Sequence, residues 1–267
     1  MDEKYITDLF SVKDKVAIVT GGAGRLGFQH IDALHKAGAK VISFDVVKNE
    51  TLEGVADQYV IDITDQKEVK KIVDEVAEKF GSIDILINNA AINPKASSDD
   101  PENLKMFAPY EEYQSNLWEK EIAVGLSGAH YCIQAVAPYM MKKKEGSIIN
   151  IASTSAITAP QHAKYEKGKY KSAGYPTVKA GLLGLTRAWA SYFAATAPGI
   201  RVNAVSFGTI AFKQKSPEEL EKWAGRNMLG RPATPSEYQG VIIFLCSKAS
   251  SFVNGSNLVA DAGQTAW

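Results

Sequence analysis

The sequence predicts an α/β fold built on a doubly wound parallel sheet of about seven strands. Three observations carry this. Strand-like and helix-like segments alternate from residue 15 to the end. The strand-like runs are short and rich in Val and Ile, while the segments between them repeat apolar residues at helical spacing. A glycine-rich turn, Thr20-Gly21-Gly22-Ala23-Gly24-Arg25-Leu26-Gly27, joins the first strand to the first helix.

The elements follow in order. Lys15 to Thr20 is a β-rich run that stops at glycines. Leu26 to Ala37 has apolar residues at Leu26, Ile31, Leu34 and Ala37, and Gly38 ends it. Lys40 to Asp45 and Gln58 to Asp62 read as the next two strands. Asp65 to Phe80 is helical through Val69, Ile72, Val73 and Val76, with Gly81 as its stop. Ile83 to Asn88 is a fourth strand, and Trp118 to Met141 one long helix. Ser147 to Ala152 is a strand, Tyr175 to Ala195 a helix, and Arg201 to Val205 a strand. Ser236 to Leu245 is helical, and Asn257 to Asp261 is the last strand. No repeat or linker interrupts the pattern, so one domain over 1–267 is expected, with its core over 13–263. The stretches 92–116, 154–174 and 207–235 read as irregular. Each follows a strand, where doubly wound sheets place their sites.

Composition narrows the partners. Lys and Arg number 30 and Asp and Glu number 30, so the formal net charge is zero. That argues against nucleic acid or an anionic membrane surface as the main partner. The start, Met1-Asp2-Glu3-Lys4, leads into no apolar signal core, and runs such as Val241 to Leu245 are too short to span a bilayer. With only Cys132 and Cys246, a disulfide framework is not expected, and a reducing cytoplasm fits. The histidines His30, His35, His130 and His162 form no metal-binding spacing.

The chemistry concentrates in Tyr175-Pro176-Thr177-Val178-Lys179, downstream of Ser153. Tyr175 and Lys179 share one helix face, one turn apart. A neighbouring ammonium favours the phenolate and lowers the tyrosine's pKa. Such a tyrosine exchanges a proton with an alcohol or ketone near neutral pH.

The glycine turn supplies a dinucleotide site beside it. Glycines allow close approach of the pyrophosphate, and the helix amino end favours its charge. Asp45 ends the second strand about 20 residues on, where a carboxylate bonds the ribose hydroxyls and repels a 2′-phosphate. NAD is therefore expected over NADP, although Arg25 could welcome a phosphate. Asp45 also reads as an ordinary turn residue. Asp62 reads either as a partner of the adenine amino group or as a helix amino-end acid shared with Asp65. Asn89 could brace the sheet through bonds to backbone, and the small Ala90 and Ala91 leave room for a ribose.

Together these segments resemble the short-chain dehydrogenase/reductase family, from about Lys13 to the C-terminus. The turn at 20–27 resembles its cofactor motif, in a variant form. Asn88-Asn89-Ala90-Ala91 is similar to its Asn-Asn-Ala-Gly motif, 147–153 to its serine strand, and Tyr175 to Lys179 to its Tyr-x-x-x-Lys pattern. Residues 200–208 resemble its sixth strand and following turn, and 259–263 its C-terminal Asp-Gly-Gly. The resemblance implies a Rossmann-type, NAD(P)-binding enzyme acting on CH–OH groups. It implies Tyr175 as general acid/base, Ser153 on the substrate oxygen, and Lys179 on the phenol and the nicotinamide ribose. The implied cofactor site comprises Gly21, Gly24, Arg25, Leu26, Gly27, Asp45, Asp62, Ile63, Asn89, Ala90, Ala91, Tyr175, Lys179, Gly208 and Ile210. A homotetramer or homodimer is implied, packing the helices at 118–141 and 175–195 across two-folds.

Four departures stand out. Arg25 replaces a glycine, leaving Gly21, Gly24 and Gly27 in the spacing of the family's extended branch. Gly125 stands where many members carry an asparagine. Phe207 replaces a proline, and Phe212 a threonine, for which Thr209 could stand in. The stretch Gln161 to Lys171 is additional and carries Lys164, Lys167, Lys169 and Lys171 against Glu166. It reads as a lid for an anionic substrate or as a solvated loop; Tyr165 and Tyr170 either stack on a sugar or pin the loop. With Asn93, Lys95, Gln161 and His162, a small polar substrate such as a polyol or sugar derivative is expected. A redox-neutral sugar-nucleotide epimerase or dehydratase, and a non-catalytic NAD-responsive binding protein, are the alternative functions.

Overall fold

The computed structural model describes residues 3–93, 101–212, 216–218, 221 and 225–266. A short helix absent from the sequence reading, α1 (Glu3–Phe10), precedes β1 (Val16–Thr20). Then come α2 (Arg25–Lys36), β2 (Lys40–Asp45), β3 (Asp57–Val60), α3 (Gln66–Phe80) and β4 (Ile85–Asn88). The short α4 (Pro101–Lys105) lies in a stretch expected to be irregular. α5 (Ser115–Ile122) and α6 (Gly128–Lys143) follow, then β5 (Gly146–Ser153), α7 (Gly174–Thr196) and β6 (Ile200–Phe207). α8 (Gln239–Cys246) and β7 (Asn257–Ala260) complete the set.

All seven strands form one parallel sheet in the order β3-β2-β1-β4-β5-β6-β7. β1 is central: Val19 pairs with Ser43 of β2 and with Ile87 of β4. Successive side chains of a strand face opposite sides, and the core divides accordingly. Ile18, Ile42, Phe44, Leu86, Ile148 and Val202 pack with Val69, Val73, Ile133, Val136 and Phe193 of α3, α6 and α7. Ala17, Val19, Val41, Ile85, Ile87, Ile149 and Val205 pack with Ile31, Leu34, Ile242 and Leu245 of α2 and α8. Both faces are covered, which is why the strands read as continuous apolar runs rather than alternating ones. Fully buried side chains such as Phe44 and Phe193 each contribute roughly 1.5–3 kcal/mol.

Three expectations need correction. The third strand ends at Val60, so Asp62 lies in the turn beyond it. The expected long helix from Trp118 to Met141 is α5 and α6 joined by a π-helical turn, Ala123–Ser127. The expected helix from Ser236 begins as a 3₁₀ turn, Pro235–Tyr238, with Thr234 and Glu237 forming a capping box. Elsewhere the stops act as read: Asp65 caps α3 by accepting from Lys67 N and Glu68 N, and Gly81 closes it in the left-handed region.

Candidate functional site

The carboxyl ends of β1, β4, β5 and β6 converge on one edge of the sheet. The glycine turn leaves β1 there. Gly21 has φ +66°, and a Cβ on it would lie 2.8 Å from Ala90 Cα. A Cβ on Gly27 would run into the Gly21 carbonyl. Gly24, the residue before α2, offers no side-chain cap, so the first amides of the helix keep their anion-binding capacity. This close-packed, uncapped turn fits a pyrophosphate. Asn89 Nδ2 donates to the carbonyls of Thr20 and Gly21 at 2.9 and 3.1 Å. Thr20 Oγ1 accepts from Asn89 N and Ala90 N at 3.0 and 3.1 Å, stitching β4 to β1.

Asp45 ends β2 beside this turn. Its Oδ2 accepts from Ala23 N at 3.0 Å. A cleft of about 320 Å³ opens here, lined by Ala23, Gly24, Arg25, Phe28, Gln29, Asn49 and Phe212. Asn49 Nδ2 donates to Ala23 O at 3.1 Å, and the exposed Arg25 guanidinium lies 5.7 Å from the Phe212 ring centroid. Sequence reasoning missed Asn49 and gave Phe212 no role at this cleft; only the chain's path brings them to the turn. Asp62 is exposed, and its Oδ1 accepts from Thr64 N and Oγ1 at 2.9 and 2.8 Å. Asp62 takes no part in the α3 cap, which Asp65 makes with its own side chain. The Ile63 side chain is buried, and Gly128 of α6 packs directly on it. Leu26 is half-buried against the α2–α8 side of the core. Ala91 follows β4 on the same edge. Gly208 N donates to Ala260 O at 3.0 Å, and Ile210 bridges to Ala233. Thr209 O accepts from Ala233 N at 2.9 Å. Phe207, where a proline was the expectation, stacks on Tyr238 with ring centroids 4.1 Å apart.

Ser153, Tyr175 and Lys179 meet where β5 ends against the first turns of α7. Tyr175 is half-buried, and desolvation around its hydroxyl pushes it above the ordinary value, an effect opposed by a hydrogen bond with Ser153. The expected lowering of the phenol by Lys179 is therefore not found. The reason is geometric: Lys179 Nζ donates to Ile151 O at 2.6 Å and lies 5.7 Å from the ring centroid. Lys179 is itself desolvated and pushed down to about 8, with Lys171 adding repulsion. A second ammonium lies nearer than expected, with Lys171 Nζ 4.0 Å from the Tyr175 ring centroid. Gly125 has no room for the asparagine of other members, because a Cβ there would meet Val178 Cγ1 at 2.5 Å.

The segment leading into α7 is held by Glu121, a buried carboxylate that sequence reasoning did not single out. Its oxygens accept from Ser172 Oγ and Tyr113 Oη, both at 2.7 Å. Ser172 Oγ in turn accepts from Tyr175 N at 3.3 Å. Gly174 packs against Glu121, and a Cβ there would displace its carboxylate. Behind the site, Asn88 Nδ2 donates to Asn150 Oδ1 at 2.8 Å and Asn150 Nδ2 to Thr186 Oγ1 at 2.9 Å. This fully buried relay links β4, β5 and α7.

The additional stretch folds over the site as an aromatic cluster. Tyr165 lies 6.1 Å from Phe107, and His162 lies 5.5 and 5.6 Å from Tyr110 and Tyr170, centroid to centroid. Tyr165 and Tyr170 thus pin the loop. Gln161 is exposed at its start. Lys169 pairs with Glu166 at 2.8 Å, and Lys167 is exposed. Lys95 and the Lys164 side chain lie outside the described residues. Cys132 and Cys246 are buried free thiols, each pushed up to about 12 by burial.

Comparison with known proteins supplies the family. A family model described as enoyl-(acyl carrier protein) reductase matches residues 22–265. The chain is 34% identical over 264 residues to a 3-oxoacyl-[acyl-carrier-protein] reductase of Thermotoga maritima, covering 94% of this chain and 98% of the relative. This chain belongs to the short-chain dehydrogenases/reductases. Another member is the D-threitol dehydrogenase of Mycolicibacterium smegmatis, 30% identical over 274 residues, covering 96% of this chain and 95% of that one. Among solved members, a gluconate 5-dehydrogenase from Burkholderia cenocepacia in complex with NADP and tartrate superimposes with a TM-score of 0.83 at 29% identity. That match covers 98% of this chain and 99% of the other. A short-chain dehydrogenase from Leptospira borgpetersenii with bound NAD+ gives a TM-score of 0.84 at 28% identity, covering 99% and 97%. The protein is accordingly an oxidoreductase that moves a hydride between a nicotinamide cofactor, NAD(P), and the CH–OH carbon of a secondary alcohol or its ketone. Among the described residues, no helix is long and apolar enough to cross a membrane.

Proposed function

We propose that this member is an NAD-preferring dehydrogenase of a small polar polyol or sugar derivative, formed by one domain and working as a homodimer or homotetramer. The observation that carries the reading is the pairing of Ser153 with Tyr175, with Lys179 one helical turn further along α7. When bound, the nicotinamide accepts or supplies the hydride. The chain's own residues handle the proton. Tyr175 Oη takes the hydroxyl proton of the alcohol as the phenolate, or gives its own proton to the carbonyl oxygen as the phenol. Ser153 Oγ donates to that oxygen and stabilises the charge developing on it. Lys179 holds positive charge behind the phenol and, near 8, exchanges protons within the working pH range. Gly21, Gly24, Leu26 and Gly27 seat the pyrophosphate, and Asn89, Ala90 and Ala91 border the ribose. Asp62 and the Ile63 backbone face the adenine, while Gly208 and Ile210 flank the nicotinamide.

The NAD preference rests on Asp45, whose carboxylate stands at the end of β2 against Ala23 N. A ribose 2′-phosphate there would meet its negative charge. Arg25 lies over Phe212 and offers that charge no ion pair. The polar substrate rests on Asn93 and Lys171 at the mouth of the site. Relatives that act on sugar acids and polyols, such as the gluconate 5-dehydrogenase and the D-threitol dehydrogenase, favour the same class.

The test is NADH or NADPH formation across sugar acids, polyols, sugars and simple secondary alcohols. Turnover of polar members with NAD is expected, with kcat/KM for NAD at least about tenfold above NADP. Tyr175→Phe should abolish turnover while NADH binding persists. Retained turnover in that variant removes Tyr175 from its role, and turnover with NADP alone removes Asp45 from its own.

A further inference from the structure

We propose that Lys171, with Asn93, anchors a carboxylate on the substrate, making this enzyme selective for hydroxy acids of the polyol class over the matching neutral polyols. The inference rests on the polyol-dehydrogenase reading and narrows its substrate.

The additional stretch contains four lysines, and the fold separates them. Lys169 is committed to Glu166 and Lys167 faces solvent. Lys171 is buried, and its ammonium lies over the face of Tyr175. Its Nζ donates to Asn93 Oδ1 at 2.7 Å. Asn93 is exposed, so this end of the lysine reaches the mouth of the site rather than the core.

A buried ammonium is costly unless a charge and hydrogen bonds compensate it. Among the described residues, Lys171 forms no ion pair. Glu121 attracts it from a distance, but both Glu121 oxygens are already bonded to Ser172 and Tyr113. Asn93 supplies one neutral acceptor. An ammonium has three donors and an asparagine amide two. A carboxylate arriving at the mouth can accept from Lys171 Nζ and Asn93 Nδ2 together. Its neighbouring carbinol would then lie beside the Ser153 and Tyr175 hydroxyls, the geometry of a 2- or 3-hydroxy acid.

The experiment is calorimetric titration of the NADH-saturated enzyme with three pairs that differ only at one terminus: threonate and threitol, xylonate and xylitol, gluconate and sorbitol. In at least one pair the acid is expected to bind about tenfold or more tightly than the alditol, the range of a charge-assisted hydrogen bond. Lys171→Met should reduce that preference to within about threefold, and Lys171→Arg should retain most of it. Asn93→Ala, at an exposed position, should weaken the preference without loss of folding. The proposal is overturned if the wild type prefers no acid, or if a folded Lys171→Met variant keeps the preference. It is also overturned if sorbitol 6-phosphate outcompetes gluconate and loses that advantage in Lys171→Met. A structural role in balancing Glu121 would lower stability in Lys171→Met but leave the acid-to-alditol ratio unchanged. Failure of NADH to bind would instead refute the dehydrogenase site; the acid–alditol ratio is then read on the enzyme without NADH.

Discussion

His30 points into the core between α2 and the end of β6, with its ring 5.9 Å from that of Phe207. Among the described residues neither of its ring nitrogens has a hydrogen-bond partner, and burial pushes it down from 6.5 to about 3. In the unfolded chain the ring takes up a proton as the pH falls through 6.5, while in the folded protein it stays neutral to about 3. The unfolded state therefore binds more protons in that window, and stability falls with falling pH. His30→Leu should flatten the decline of the urea midpoint across this window; an unchanged slope would mean the folded ring protonates normally. At this scale the sequence was informative where geometry is local. Tyr175 and Lys179 are one helical turn apart in any helix, and Ser153 ends its strand. Lys171 was hidden among four lysines, because only the folded loop decides which one is buried. The acidity of Tyr175 was misread for the same reason: spacing shows that Lys179 is near, but not that Ile151 O holds its ammonium.

Gly125 belongs to the π turn between α5 and α6, packed against Val178 of α7. Restoring an asparagine there, as Gly125→Asn, would force a side chain into Val178 Cγ1. A loss of about 1–3 kcal/mol in denaturant unfolding is expected, the cost of overpacking. An unchanged midpoint would mean that α7 yields freely. Strands and most helices were legible because their apolar spacing and stop residues are local signals. The π turn was not, since one extra residue in a helical turn barely disturbs a 3.6-residue period. The shift of the third strand has a similar origin: Ile61 is buried beyond the last ladder pair, so it reads as strand although the pairing stops at Val60.

For the molecule as a whole, α6 and α7 leave an outward groove lined by Leu126, His130, Tyr131, Gly184, Leu185 and Ala188. Trp189 Nε1 donates to His130 Nδ1 across it at 3.2 Å, and Tyr192 is half-exposed beside it. A second copy on this face is the arrangement behind the proposed oligomer. Gly184 has open space where a Cβ would be, so Gly184→Arg should leave the fold intact and shift sedimentation to the monomer. An unshifted profile would move the interface elsewhere. The parallel sheet of seven strands followed from the alternation of elements, whereas the reach of loops across the site did not, because those contacts join residues far apart in sequence. The buried relay from Asn88 through Asn150 to Thr186 lies beneath all of those loops. It ties α7 to the middle of the sheet without using any residue of the 154–173 stretch. Inheritance can therefore treat the two regions separately: the loop can drift, lengthen or change its charges across generations while the spine keeps the tyrosine and lysine in place.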